Sequence, residues 1–201
     1  RADVSFGKGT PQGAWLVTGF RESSLAPGWF NSYTTTVLMI NGYDQDKTTR
    51  QIKEDFEGRL AEFRGRPRYV LSFFSKKVVS QWQEPEFQSV WSSEVGHHDP
   101  APAAWVQNVY TGKAREVLHA YCNQYVQVLY AAFFVGLFRL LKKPDEGALM
   151  LPLVLLGAAL YHALFEAKAQ YVLVYIPLMM PVAAAGLAAV FTRLVRTKKR
   201  A

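Results

Sequence analysis

The chain is poor in cysteine, in acidic residues and in the familiar signatures of soluble enzymes. Among its 201 residues Cys122 is the single cysteine, so no intrachain disulfide can form and the compartment cannot be read from thiols. There is no P-loop, no G-x-G-x-x-G following a strand, no C-x-x-C and no H-E-x-x-H, which removes the usual nucleotide, dinucleotide, redox and zinc-protease readings. The sequence opens on Arg1, with neither an initiator methionine nor a signal peptide. It is therefore expected to be a C-terminal piece of a longer protein.

The shortage of acid is local. The formal net charge is +7, with 14 Lys/Arg against 13 Asp/Glu in residues 1–119 and nine against three in residues 120–201. Nearly all the excess lies beside apolar runs, as at the cytoplasmic flanks of membrane helices. A nucleic-acid footprint would instead place its basic residues on a polar, foldable face, so nucleic acid is not an expected partner.

Three apolar runs have the roughly 20-residue length that a helix needs to cross the hydrocarbon core. They span 121–141, 148–165 and 171–191. Pro152, Pro177 and Pro181 are tolerable there and suggest kinks. The small-residue run Ala183-Ala184-Ala185-Gly186 admits close approach of another helix. The first link carries Arg139, Lys142 and Lys143, and the tail carries Arg193, Arg196, Lys198, Lys199 and Arg200, whereas the second link, Glu166 to Gln170, has only Lys168. The positive-inside rule places the first link and the C-terminus in the cytoplasm. The second link and residues 1–119 then lie outside a multi-pass plasma-membrane protein.

The organisation expected is thus an extracytoplasmic segment, 1–119, followed by a transmembrane domain, 120–201. The fold class expected is mainly α, a helical transmembrane hairpin bundle preceded by a mixed α/β or irregular segment. Within that segment, residues 14–20 suit a short strand or a helical turn, and the β-branched run 34–40 suits a strand. Pro27-Gly28 marks a turn. Ile52, Phe56, Leu60 and Phe63 recur at helical spacing, with Asp46 or Thr48 as cap and Gly65 and Pro67 as terminators. A second helix is predicted over 68–83 with Val70, Phe74, Val78 and Trp82 on one face, and residues 84–119 read as irregular, with a short helix over 113–120. The aromatics of this segment allow two readings, a belt at the membrane surface or the core of a small domain.

Three groups of residues could carry chemistry. His97-His98-Asp99 offers metal-ligand types in a loop, against the plain reading of solvated side chains, and no metal site is assigned. His162, Glu166 and Gln170 share a face if the helix continues through the second link, with Lys168 and Tyr171 beside them. A carboxylate there can orient a hydroxyl or move a proton, and a lysine can neutralise a lipid phosphate. The plain reading is that Glu166 and Lys168 end two helices in water and snorkel. Trp15, Trp29 and Asn31 are of the types that stack on and hydrogen-bond sugars, and they form a candidate acceptor loop.

The stretch Leu164-Phe-Glu166-Ala-Lys-Ala-Gln170-Tyr171, with Pro177 and the run from Pro181 to Gly186, resembles the end of bacterial polytopic glycosyltransferases of the GT-C superfamily, the protein-mannosyltransferase-like group. The upstream residues Pro11, Trp15 and Gly19-Phe20, then Pro27-Gly28-Trp29-Phe30-Asn31, the helix around 49–63, and Lys77 with Trp82-x-Glu84-Pro85 resemble the large outer loop of one bacterial subgroup. The resemblance implies transfer of a sugar from a polyprenyl-phosphate donor on the outer face of the membrane. It implies a catalytic acid upstream of Arg1, with the missing N-terminal spans, so that this piece alone is inactive. No cofactor is evident, and a divalent metal would be held by upstream residues. Many such proteins carry Arg where this chain has Gln170, which leaves Lys168 as the only cation of the link. The reading from a different class is a non-catalytic, membrane-anchored binding or assembly subunit.

Overall fold

A computed structural model describes residues 9–96 and 102–198. Among them the regular structure is helical throughout, with no strand. The mixed α/β expectation for the outer segment is therefore corrected to all-α. The helices are α1 (Gly13–Phe20), α2 (Tyr33–Ile40), α3 (Gln45–Gly65), α4 (Pro67–Trp82), α5 (Ser89–Gly96), α6 (Ala104–Thr111), α7 (Lys113–Lys142), α8 (Glu146–Leu164) and α9 (Ile176–Lys198). A 3₁₀ segment, Ala169–Tyr175, precedes α9. Of the two readings of 14–20, strand or helical turn, the helical one holds as α1, and the strand expected at 34–40 is α2. Each is too short to be helical on propensity alone. Ala14, Val17, Tyr33 and Val37 form one buried cluster with Ile52, and that packing overrides the β-branched preference. Residues 84–112, read as irregular, hold α5 and α6, and the short helix expected over 113–120 is the start of α7.

The chain divides into two compact units, one of residues up to Ser80 together with Leu160–Lys168, the other of Gln81–Ala159 with the residues from Ala169 onward. In the first unit α3 is capped by Asp44, whose carboxylate accepts from the Asp46 and Lys47 amides at 3.0 and 2.9 Å. The cap is thus two residues before the nearer expected candidate. Those bonds, the one from Lys47 foremost, hold the Asp44 carboxyl below its usual range. The predicted stripe of α3 is the one that packs. Phe63 joins Phe20 and Phe73 in an aromatic core, with Phe56, Leu60, Tyr69 and Phe74 against it. Arg59 lies in this core, its guanidinium 4.4 Å from the Phe63 ring centre, donating to the Phe20 carbonyl and the Tyr69 hydroxyl, both at 2.7 Å. The helix at α4 is present, but its most buried positions are Phe73, Lys77 and Gln81, while Val78 and Val79 are half exposed. Of the predicted stripe Val70, Phe74 and Trp82 do pack against apolar clusters, but the pattern missed the most buried line beside it because two of its residues are polar.

In the second unit, α7, α8 and the stretch Ala169–Arg196 are long and apolar enough to cross a membrane, at 30, 19 and 28 residues. At about 1.5 Å per residue, α7 is roughly 45 Å long and exceeds the ~30 Å hydrocarbon thickness, so its polar first turns extend past the apolar core. The cluster Leu129, Ala132, Phe133, Leu155, Val172, Ile176, Met179, Val182 and Ala183 forms the buried seam, chiefly between α7 and α9. The two backbones touch at Gly136 and Gly186. A Cβ on Gly136 would lie 2.0 Å from the Val182 carbonyl oxygen, and one on Gly186 would lie 2.0 Å from that of Ala132. Large apolar side chains elsewhere on the spans, such as Phe134, Leu153 and Leu160, are exposed and suit contact with lipid.

Gly186→Leu is expected to force α7 and α9 apart and cost about 1–3 kcal/mol, as overpacking does. Gly157→Ala, where nothing lies within 4 Å of the added carbon, is expected to be neutral or slightly stabilising. Thermal unfolding of both variants in detergent checks the contrast, and equal effects would refute the close-contact reading.

Candidate functional site

The link after α8 is where the expected and observed geometries part. The helix stops at Leu164, and residues 165–168 are not helical. His162, Glu166 and Gln170 therefore do not line one helical face. His162 turns back on the chain instead, with Nδ1 3.1 Å from the Glu166 carbonyl oxygen. Gln170 and Tyr171 lie in the 3₁₀ segment of the second unit, Gln170 exposed and Tyr171 half-buried.

The end of the helix is capped by a buried lysine that hydropathy could not single out. Lys77 is 1% exposed. Its Nζ donates to the carbonyls of Gly19 at 2.6 Å, Ala163 at 3.0 Å and Phe165 at 2.8 Å. Gly19 is in the last turn of α1, and Ala163 and Phe165 flank the last residue of α8. The final carbonyls of a helix lack intrahelical donors and carry the negative end of its dipole. One ammonium thus closes two helix C-termini, and its three N–H groups match three acceptors. Burial pushes the Lys77 amine below its ordinary value, to about 7. The three carbonyls act the other way, since only the charged form has a donor for each.

Two glycines shape this cradle. A Cβ on Gly19 would lie 2.3 Å from the Leu164 carbonyl oxygen. Gly28 has φ of 75° and lies so close to Lys77 that a Cβ would be 2.4 Å from its Cε. Pro27 and Gly28 occupy the central positions of a turn closed by the Trp29 amide on the Ala26 carbonyl at 3.2 Å, as the sequence indicated. Gly28 then accepts the Ala167 amide at 2.9 Å, which fastens the link to the 26–30 turn.

On this fastened link Glu166 and Lys168 form an ion pair, Oε1 to Nζ 2.9 Å, with the Glu166 side chain 10% exposed and that of Lys168 25%. The Lys168 ammonium also lies 5.4 Å from the centre of the Phe30 ring. The structure thereby brings the second link and the turn at 27–31 together, two regions that the sequence offered as separate candidates. It gives some of their members structural tasks. Trp29 is buried and donates Nε1–H to Ser80 Oγ at 3.1 Å. Asn31 donates to the Thr18 carbonyl at 3.2 Å and accepts the Tyr33 amide at 3.2 Å. Trp15 stays partly exposed on α1, open to a ligand. Beside Asn31, Tyr33 donates to Asp55 Oδ2 at 2.7 Å, and its phenol is raised above its usual range by burial first and by Asp55 second.

No known protein family, curated protein or solved structure matches this chain. The chemistry must therefore be read from its own residues. Among the described residues no group of three His, Cys, Asp or Glu side chains is placed to hold a metal ion. His97-His98-Asp99 lies outside the described residues. In the second unit the sequence offered no hint of Glu86, which is 4% exposed. Its Oε2 is 2.8 Å from Arg115 Nη1, and its Oε1 is 3.1 Å from His119 Nδ1. This polar cluster stands on the first turns of α7.

Lys77→Met keeps the volume but leaves three buried carbonyls without a donor, and is expected to cost about 3 kcal/mol or more. The folded amine binds its proton more weakly than the unfolded one, so unfolding takes up a proton between about 7 and the ordinary 10.5. Stability of the wild type should therefore rise with pH across that window and be flat with respect to this group below it. Chemical denaturation of wild type and Lys77→Met across that range measures both effects. A wild-type slope that persists unchanged in the variant would refute the assignment to Lys77.

Proposed function

We propose that the chain is the C-terminal part of a multi-pass membrane glycosyltransferase of the GT-C type, which takes a sugar from a polyprenyl-phosphate donor at the outer face of the plasma membrane. The observation that supports this is the Glu166–Lys168 pair, held 2.9 Å apart on a non-helical link directly after an apolar helix. A lipid phosphate arriving from the bilayer reaches such a position with its charge at the surface and its tail in hydrocarbon. Lys168 supplies the compensating cation. Glu166, freed from Lys168 when a phosphate takes its place, supplies an acceptor for a hydroxyl proton or orients the incoming hydroxyl. Three stretches that carry the GT-C resemblance, around Gly19, Gly28 and Lys77, are the ones that tether this link within the first unit.

The exposed Trp15 gives the acceptor a stacking surface, whereas Trp29 and Asn31 serve by shaping the turn. The catalytic acid, and any divalent metal, belong in this reading to chain upstream of Arg1. In this reading the basic ends of α7 and α9 favour a cytoplasmic C-terminus under the positive-inside rule. Cysteines introduced at exposed Ser93 and Lys142 in a Cys122→Ser background test that topology. In intact cells an impermeant thiol reagent should label position 93 and spare position 142, and the reverse pattern would overturn it.

The activity is tested on the intact protein in its own membranes, by following sugar transfer from a polyprenyl-phosphate donor. Lys168→Ala is expected to raise the KM for the donor about tenfold, the worth of one hydrogen bond to a charged group. Glu166→Gln is expected to lower kcat with less effect on KM. Unchanged kinetics in both would sink the site. An intact protein that transfers no sugar but retains a cell-envelope glycan would instead be a binding subunit anchored in the membrane.

A further inference from the structure

The basic ends of α7 and α9 enclose space as well as charge. A cavity of about 690 Å³ is lined by Arg139 of α7 and by Ala185, Ala188, Ala189, Thr192, Arg193 and Arg196 of α9. A second, of about 410 Å³, shares Arg139 and Ala185 with it and adds Gly136, Leu140, Lys142 and Lys143. The two form one groove that starts at the Gly136 crossing and opens among five cations. Among the described residues no acidic side chain lines either part. The Thr192 hydroxyl donates to the Ala188 carbonyl at 2.7 Å, and the arginines carry the positive charge that lines the space. Both volumes fall within the roughly 300–1,000 Å³ of ligand-sized pockets.

We propose that this groove binds an anionic phospholipid, its phosphodiester held by Arg139, Arg193 and Arg196 and one acyl chain laid along Ala185, Ala188 and Ala189. Three features select this occupant. The guanidinium groups come from two different helices and converge on one space, and a planar fork suits phosphate oxygens better than a water shell does. The lining between the cations and the helix crossing includes Ala185, Ala188, Ala189 and Gly136, small residues beside which a hydrocarbon chain can lie. The groove is placed on two helices that are apolar enough to span a membrane, at the end where charge accumulates, so the surrounding bilayer supplies both headgroup and tail. A free phosphate would satisfy the arginines and leave the alanine channel without purpose. The site is independent of the Glu166–Lys168 link.

The test is lipid retention by the full chain, read by native mass spectrometry as phosphatidylglycerol or phosphatidylcholine is titrated into detergent. Wild type should retain phosphatidylglycerol, and the combined variant Arg139→Gln, Arg193→Gln and Arg196→Gln should weaken that binding roughly tenfold or more. Ala188→Leu keeps every charge, replaces an exposed residue and fills the channel, so it should also weaken binding, with helicity by circular dichroism unchanged. Loss of binding in both variants upholds the proposal. Wild-type retention in the arginine variant overturns it. Retention that survives Ala188→Leu shows attraction by surface charge alone and also overturns it, as does equal competition by inorganic phosphate, which would mark a free-anion site.

Discussion

Burying an ammonium group is costly, and the first unit is arranged around the one it buries. Lys77 can stay inside because it meets the C-termini of α1 and α8, where carbonyls lack partners and the helix dipoles are negative. That requirement propagates outward. The carbonyls of Ala163 and Phe165 both point at Nζ, and the Ala167 amide that would extend α8 donates to Gly28 instead. The approach of α1 to the end of α8 leaves no room for a side chain at Gly19, and the turn packed on the lysine stem leaves none at Gly28. The shape of the link bearing Glu166 and Lys168 is thus a consequence of where one amine is satisfied.

This dependence explains what could be read in the amino-acid order and what could not. Spans are legible because hydrocarbon demands long apolar runs, and α7, α8 and α9 lie where hydropathy places them. The α3 stripe is legible because Ile52, Phe56, Leu60 and Phe63 obey a single period and face a single core. In α4 the same method selects Val70, Phe74, Val78 and Trp82, whereas the buried line is Phe73, Lys77 and Gln81. Periodicity in apolar residues cannot register a buried cation whose partners are backbone carbonyls, since carbonyls leave no mark in sequence. For α1 local propensity left strand and helical turn open and for α2 it pointed to strand, and a shared apolar cluster with α3 decided for helix in both.

The candidate residues divide along the same line. Glu166 and Lys168 were legible as the charged residues of the second link, but their ion pair was not, since it forms only because the link leaves the helix. The division of labour in the 27–31 turn was not legible either, because the same residue types serve recognition and scaffolding. Trp29 has the ring that a sugar would stack on, but its indole N–H is committed to Ser80 and the ring is buried. Asn31 has the amide that a sugar would bind, but it bridges the Thr18 carbonyl and the Tyr33 amide. Only Trp15 keeps a surface to offer. Lys77 was also singled out in the sequence, and the cradle shows its structural task, to close the ends of α1 and α8.

The close pairing of Glu166 and Lys168 also constrains how the proposed lipid phosphate could bind. With Oε1 at 2.9 Å, the carboxylate holds the place that a phosphate oxygen would take, so donor and carboxylate compete for one ammonium. The competition is not symmetric. A phosphate brings more charge and more acceptor oxygens than a carboxylate, and it arrives with a lipid tail whose partition into the bilayer supplies further affinity. Displaced, Glu166 gives up the Lys168 ammonium at a position where its side chain is only 10% exposed. In the glycosyltransferase reading the donor would therefore release the carboxylate from its lysine at the moment a hydroxyl must be oriented, and an empty site would keep the two paired.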